Sequence, residues 1–257
     1  MIAFPNCKIN IGLHILRKRP DNYHDIETIF YPVPLCDVLE ILPSKKTEIS
    51  FSNTGISVAD DAGNLCLKAY QLLKNDFPNL PAVSIYLHKV IPVGAGLGGG
   101  SSNAIATLQL LNKIFSLEIP AEKLSLYALM LGSDCPFFLL NKPALAKGRG
   151  EMLEPLGSRL TGYHVVIVFP GIHCNTAKAF SSIKPHTPNE SLPTSYNKPI
   201  NVWSNIISND FEKSVFIEHS SIQKIKDQLY SSGADYASLS GSGSSVYGLF
   251  KSAVPVL

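Results

Sequence analysis

The chain has 257 residues, long enough for one large or two modest domains, and is 45% hydrophobic and 16% charged with a formal net charge of +2. That balance excludes a largely disordered chain and, with no basic run beyond Lys45-Lys46, argues against nucleic acid as a partner. Five scattered cysteines, Cys7, Cys36, Cys66, Cys135 and Cys174, contain no Cys-x-x-Cys pair, so neither a disulfide framework nor a zinc site is expected and a reducing cytosol fits best.

In chain order, residues 6–16 and 24–33 read as strands, followed by 36–43, 48–52 and 82–88, each with β-branched or aromatic residues and turn signals at its edges. The first ten residues carry Pro5 and Lys8 where a secretory signal needs an unbroken apolar stretch. Helices are expected over 64–74, with apolar Leu65, Ala69, Leu72 and Leu73, and over 102–115, with Ile105, Leu108, Leu111 and Phe115 near the 3.6 period. A further helix over 121–131 stops at Gly132, a favoured helix-end residue. The first half is therefore α+β. A boundary near residue 150 divides 1–150 from 151–257. The second part carries a strong strand at 163–170, and a polar, Pro- and Ser-rich span at 184–199 that reads as a surface loop. Apolar helical patterns resume from Val202, and the end of the chain reads as strand, Gly/Ser turn, strand. No apolar run approaches the roughly 18 residues of a membrane-spanning helix, and no internal repeat is present.

The densest signal is the segment from Val93 to Ala104, VGAGLGGGSSNA, placed between an expected strand and an expected helix. Gly94-x-Gly96-x-x-Gly99 matches the dinucleotide fingerprint formally, but more helix follows where that motif needs a second parallel strand. A Walker-type loop needs a lysine after its last glycine, and Gly100-Ser101 stands there. The protein-kinase reading lacks a His-Arg-Asp loop and an Asp-Phe-Gly segment. What remains is bare backbone N–H groups leading into a helix N-terminus, which suits a di- or triphosphate. The competing reading is an elaborate turn with Ser102 or Asn103 as an ordinary N-cap.

The pattern from Pro92 to Ala104, the opening FPNCKINIGLHILRKRPDNYHDIETIF and the late LSGSGSSVYGLF together resemble, in order, the three motifs of the GHMP kinase superfamily. Tyr23-His24 and LGSDCPFFL narrow the resemblance to the branch acting on a cytidine diphosphate alcohol, and the match spans nearly the whole chain. The resemblance implies a two-domain GHMP kinase fold of the α+β class. Its N-terminal domain would be ribosomal protein S5 domain 2-like and its C-terminal domain ferredoxin-like. It further implies ATP-dependent phosphorylation of the 2-hydroxyl of 4-diphosphocytidyl-2-C-methyl-D-erythritol, on the non-mevalonate route to isoprenoid precursors. Two positions depart from the pattern: Cys7 stands where alanine is usual, and Asn22 where glycine is usual. Asparagine tolerates the left-handed region best after glycine, so Asn22 is expected to keep the same turn.

Carried over position by position, the resemblance makes Asp134 the general base and Lys8 the group that steadies charge on the transferring phosphoryl group. Without it, Asp134 reads as a cap for the segment beginning at Pro136. Pro92, Gly94, Gly96, Leu97, Gly98, Gly99, Gly100, Ser101, Ser102 and Asn103 would hold ATP. Asn64 would contact adenine or merely cap a helix. Asn10 would face the reacting hydroxyl, Tyr23 would stack on the cytosine, His24 would hydrogen-bond its edge, and Phe180 would close the other face. The turn Ser240-Gly241-Ser242-Gly243-Ser244 would support the phosphate loop, and Asn209-Asp210-Phe211-Glu212 would be structural. No Asp/Glu/His cluster resembles a metal cage, so Mg2+ would arrive on ATP with help from Ser101 or Ser102. The histidines other than His24 read as solvated or core residues. The expected partner is a small molecule with a cytidine diphosphate moiety, with no nucleic acid or membrane, for a cytoplasmic monomer or weak homodimer. The rival readings are a kinase for another small alcohol of the homoserine or mevalonate type, which Tyr23-His24 disfavours, and a non-catalytic nucleotide- or RNA-binding module, which Lys8 with Asp134 disfavours.

Overall fold

A computed structural model describes residues 1–45, 47–61, 63–181 and 183–252. The first part of the chain forms β1 (Ile2–Ala3), β2 (Asn6–Lys18), β3 (His24–Cys36), β4 (Val38–Pro43), β5 (Ser50–Gly55), α1 (Leu65–Asp76) and β6 (Val83–Lys89). Next come α2 (Gly99–Ile114), α3 (Ala121–Leu131), α4 (Cys135–Leu140), β7 (Ala144–Gly148), β8 (Met152–Pro155) and β9 (His164–Val168). The remainder is α5 (Thr176–Ser181), α6 (Leu192–Tyr196), a 3-10 turn (Ile200–Val202), α7 (Trp203–Ile206), α8 (Phe211–Glu218), α9 (Ser220–Ser231), β10 (Tyr236–Leu239) and β11 (Val246–Phe250). The class is mixed α/β.

Two compact units are interleaved along the sequence. The first comprises Met1–Cys7, Pro34–Val93 and Gly98–Asn141. Its sheet has the order β1-β4-β6-β5, with β4 and β6 antiparallel and β5 and β6 parallel. In β6 the apolar residues alternate, so Val83, Ile85 and Leu87 point inward while Tyr86 and His88 are exposed. That buried face joins Leu39 and Ile41 of β4, Leu73 of α1 and Leu108 and Leu111 of α2 in the core. The strand expected at 48–52 begins at Ser50 and runs to Gly55.

The second unit comprises Lys8–Val33, Gly94–Leu97 and the described residues from Lys142 onward. Its sheets have the orders β2-β3-β7-β8 and β10-β11-β9. Leu13, Ile15, Phe211, Ile222, Leu229, Leu239, Val246 and Phe250 form its core. The left-handed turn expected before Tyr23 is present, with Asn22 at φ 65.

The span 184–199 is more than a surface loop. Ser191 caps α6 by accepting from the Thr194 N–H, and Leu192, Ser195 and Tyr196 are buried. Tyr196 packs at 5.4 Å on Trp203. A mostly polar composition concealed two large apolar anchors spaced at i and i+4, which lie on one helix face. Among the described residues no helix is long and apolar enough to cross a membrane, and all five cysteines are free thiols.

Candidate active site

In the second unit the glycine loop is fastened from beneath. Gly94 and Gly96 lie at positive φ. The closest approach is at Gly96, where a Cβ would stand 1.9 Å from the Ser240 carbonyl oxygen, so no other residue fits without moving backbone. Ser240 Oγ donates to the Gly96 carbonyl at 2.9 Å, and the Ser245 N–H donates to the Ala95 carbonyl at 3.2 Å. The turn between β10 and β11 closes on itself through Ser240 N–H to Ser245 O at 2.9 Å and Gly243 N–H to Ser240 O at 3.0 Å. Asn209 holds that turn by donating to the carbonyls of Leu239 and Gly241 at 2.9 and 2.8 Å. The Gly/Ser stretch is thus the buttress of the loop.

Lys8 joins the same assembly. It is 3% exposed, its N–H donates to the Leu97 carbonyl at 2.9 Å, and its Nζ donates to the Gly96 carbonyl at 2.9 Å and to Asn10 Oδ1 at 2.6 Å. The Phe30 ring lies 5.0 Å from the ammonium. Asn10 is oriented in turn by donating to Thr28 Oγ1 at 3.0 Å, and Thr28 donates to the Gly12 carbonyl. The i, i+2 spacing of Lys8 and Asn10 on β2 places both on one face, as the alternation of a strand requires.

In the first unit, α2 starts at Gly99, three residues before the expected Ser102, because Gly98 takes the left-handed conformation and ends the loop there. No side chain caps α2. Its first N–H groups and the positive end of its dipole therefore have no side-chain acceptor, the condition that favours an anion. Ser102 and Asn103 are buried within the helix and are not its N-cap. Asn103 Nδ2 donates to Asp37 Oδ2 at 2.9 Å. Asp37, fully buried, also accepts from the Val90 and Ile91 N–H groups at 2.7 and 2.8 Å and pairs with the buried Lys89 ammonium. Burial lowers the Lys89 pKa while Asp37 opposes that shift. One carboxylate thus ties both ends of the glycine segment. Sequence reasoning missed Asp37, although a lone acid inside the apolar run Cys36-Asp37-Val38-Leu39 was the available signal.

Asp134 stands at the N-cap position of α4, but its side chain makes no capping hydrogen bond there. The Ser101 side chain hydrogen-bonds the buried Cys135 thiol, whose pKa burial pushes up to about 11. Asn64 is a full N-cap: its Oδ1 accepts from the Cys66 and Leu67 N–H groups at 2.8 and 3.5 Å, and its Nδ2 donates to the Ala59 carbonyl at 2.8 Å. Both ends of that amide are engaged.

The aromatic residues lie in the second unit. His24 and Phe180 stack with centroids 4.9 Å apart and planes within 14°. Phe180 also meets the Phe211 ring edge to face at 4.8 Å. The 4.9 Å separation leaves no slot for a base between His24 and Phe180, so together they present aromatic surface. Burial first, and the Lys18 charge second, lower the His24 pKa, which favours the neutral imidazole. Tyr23 is 54% exposed with the Arg149 guanidinium 4.8 Å from its ring centre. Arg149 was not foreseen; an arginine between Gly148 and Gly150 was its only sequence mark.

Residues 64–142 match the GHMP kinases N terminal domain, and residues 198–256 match the GHMP kinases C terminal domain. A 4-diphosphocytidyl-2-C-methyl-D-erythritol kinase of Bacteroides fragilis is 51% identical over 253 residues, covering 97% of this chain and 92% of that protein. The protein of that name from Azobacteroides pseudotrichonymphae is also 51% identical, over 98% of this chain and 94% of its own. The crystal structure of a 4-(cytidine 5'-diphospho)-2C-methyl-D-erythritol kinase superposes with a TM-score of 0.82 at 30% identity, covering 97% of this chain and 90% of that one. A mevalonate kinase structure shares the fold at 14% identity with a TM-score of 0.66, over 97% and 91% of the two chains.

Proposed function

The chain belongs to the GHMP kinase family, in the branch of the 4-diphosphocytidyl-2-C-methyl-D-erythritol kinases, and from that premise we propose that it transfers the γ-phosphoryl group of ATP to the 2-hydroxyl of 4-diphosphocytidyl-2-C-methyl-D-erythritol. The observation that carries this reading is the side-chain-free N-terminus of α2 behind a loop of left-handed glycines. Such an end binds phosphate through N–H groups and the helix dipole. The identity of the relatives supports the choice of alcohol.

In the proposed chemistry the Asp134 carboxylate accepts the proton of the 2-hydroxyl as that oxygen attacks the γ-phosphorus, and the bond from phosphorus to the leaving ADP oxygen breaks. The Lys8 ammonium offsets charge on the equatorial phosphoryl oxygens. Gly96 and Asn10 hold that ammonium in place through the contacts described above. The N–H groups from Gly94 to Ser101 cradle the polyphosphate, with Pro92 and Leu97 shaping the loop, while Ser102, whose N–H donates to the Gly98 carbonyl at 3.0 Å, and Asn103 seat the first turn of α2 beneath it. The chain around Asn64 meets the adenine. Hard hydroxyl oxygens of Ser101 and Ser102 at the first turn of α2 suit a magnesium ion carried in by the nucleotide, whose charge would neutralise the phosphates. Tyr23, His24 and Phe180 supply the surface and hydrogen bond for the cytosine. In family terms residues 1–150 form the ATP-binding domain and 151–257 the C-terminal domain, a division that the interleaved compact units cross. The chain acts in the cytosol.

The test is phosphorus NMR of the product formed with ATP and the cytidine diphosphate substrate. The expected result is one new phosphomonoester on the 2-hydroxyl for each ADP. ATP hydrolysis without esterification, or an ester on another hydroxyl, contradicts the proposal.

A further inference from the structure

Away from the residues assigned above, His14, His186 and Asp210 of the second unit converge, with one donor atom from each lying within 4.8 Å of the other two. All three are pinned to the same piece of β2. The His186 N–H donates to the Ile15 carbonyl at 3.0 Å, the Asp210 N–H donates to the Leu13 carbonyl at 2.9 Å, and Asp210 Oδ2 accepts from the Ile15 N–H at 2.8 Å. His14 Nδ1 lies 3.5 Å from Asp210 Oδ1, and His186 Nδ1 lies 3.6 Å from Asp210 Oδ2. The two imidazoles are edge to face, 6.0 Å apart. His14 is 6% exposed, and its Nδ1 has no hydrogen-bond partner.

A buried ring nitrogen without a partner is unfavourable unless something unrecorded by the chain itself engages it. Zinc bonds of about 2.0–2.2 Å at tetrahedral angles set neighbouring ligand atoms about 3.4 Å apart. The two measured separations, which run to different Asp210 oxygens, are within a few tenths of an ångström of that edge, and the three donors as a set lie within 4.8 Å, so an ion would draw the imidazoles together. Two imidazoles and one carboxylate form a borderline donor set suited to zinc, whereas magnesium prefers oxygen alone. The His186 side chain, 52% exposed, supplies an entry path and leaves a fourth position for solvent.

We propose that His14, His186 and Asp210 form a zinc-class metal site that clamps the segment around His186 to β2 and to the start of α8. It is distinct from the magnesium carried with ATP. Its existence does not depend on the kinase assignment. Sequence gave no sign of it because the three ligands come from widely separated stretches with none of the close spacings of a metal motif.

The experiment uses the full chain after dialysis against a chelator. Calorimetric titration with Zn2+ is expected to show saturable one-to-one binding. At a hundredfold excess over Kd, Tm is expected to rise by about 5–10 °C. His186→Ala should weaken zinc at least tenfold while leaving the metal-free Tm unchanged, since that side chain is half exposed. His14→Gln should weaken it as strongly, and Mg2+ should reproduce neither effect. Absent or non-saturable binding, a zinc affinity indifferent to His186→Ala, or equal stabilisation by Mg2+ would overturn the site.

Discussion

Gly96→Ala tests whether the buttressed loop positions the phosphates. The alanine Cβ would meet the Ser240 carbonyl oxygen at 1.9 Å and its carbon at 2.9 Å, at a φ of +78. Restoring ordinary contact takes a displacement of roughly 1.5 Å. The left-handed conformation adds about 1–2 kcal/mol for a residue with a Cβ. The displaced unit includes the Gly96 carbonyl, which accepts from both Lys8 Nζ and Ser240 Oγ at 2.9 Å, so the ammonium shifts with the loop. A misplacement of about 1 Å costs about 10²-fold in rate, equivalent to about 2.7 kcal/mol of transition-state stabilisation. The assay is ADP release at saturating cytidine substrate, with kcat/KM for ATP as the readout and circular dichroism as the check on folding. Gly100→Ala serves as the contrast. Its Cβ would lie 3.6 Å from Leu65 Cδ1, inside ordinary contact, so the fold should tolerate it. A folded Gly96→Ala protein with wild-type kcat/KM would refute the reasoning.

Asp134→Asn should lower kcat by about 10²–10⁴-fold, the span of a lost general base, and should leave α4 intact because the side chain does not cap it; an unchanged kcat in single-turnover measurements removes the base assignment. For His24, burial lowers the pKa from 6.5, so the unfolded chain takes the proton first. Its contribution to stability and to cytosine binding is therefore complete above about pH 6.5 and lost as pH falls through the lowered value. KM for the cytidine substrate should rise on the acid side in the wild type and lose that rise in His24→Gln, whereas a flat wild-type profile from pH 7 to 5 contradicts the role. Asp37→Asn strands the buried Lys89 ammonium and should cost about 3–5 kcal/mol in urea unfolding; a loss under about 1 kcal/mol would show that Asp37 does not anchor the ends of the glycine segment.

Periodicity disclosed the elements whose side chains obey one rule along their length. The helix over 121–131 ends at Gly132 as expected, and the alternation in β6 is that of a half-buried strand. The start of α2 was missed because a glycine run carries no side-chain pattern, and only the backbone angle at Gly98 marks the boundary. The short helix α6 was hidden for a related reason: proline and serine dominate its composition, while its packing rests on Leu192 and Tyr196. The glycine loop, Lys8 and Asp134 were legible as motif residues. Two of their supports, Asp37 and Thr28, were not, since each acts through a partner far away in sequence; Asn209 was legible as a structural residue, but not the turn that it holds. Asn64 was equally readable as a cap or a ligand contact, and its side chain is engaged as a cap.

The measurement that bears most directly on the central claim is a side-by-side determination of kcat/KM, with ATP, for 4-diphosphocytidyl-2-C-methyl-D-erythritol, homoserine and mevalonate. The account predicts efficient turnover of the cytidine compound and negligible turnover of the other two. Comparable turnover of homoserine or mevalonate, or none of the cytidine compound, would contradict it.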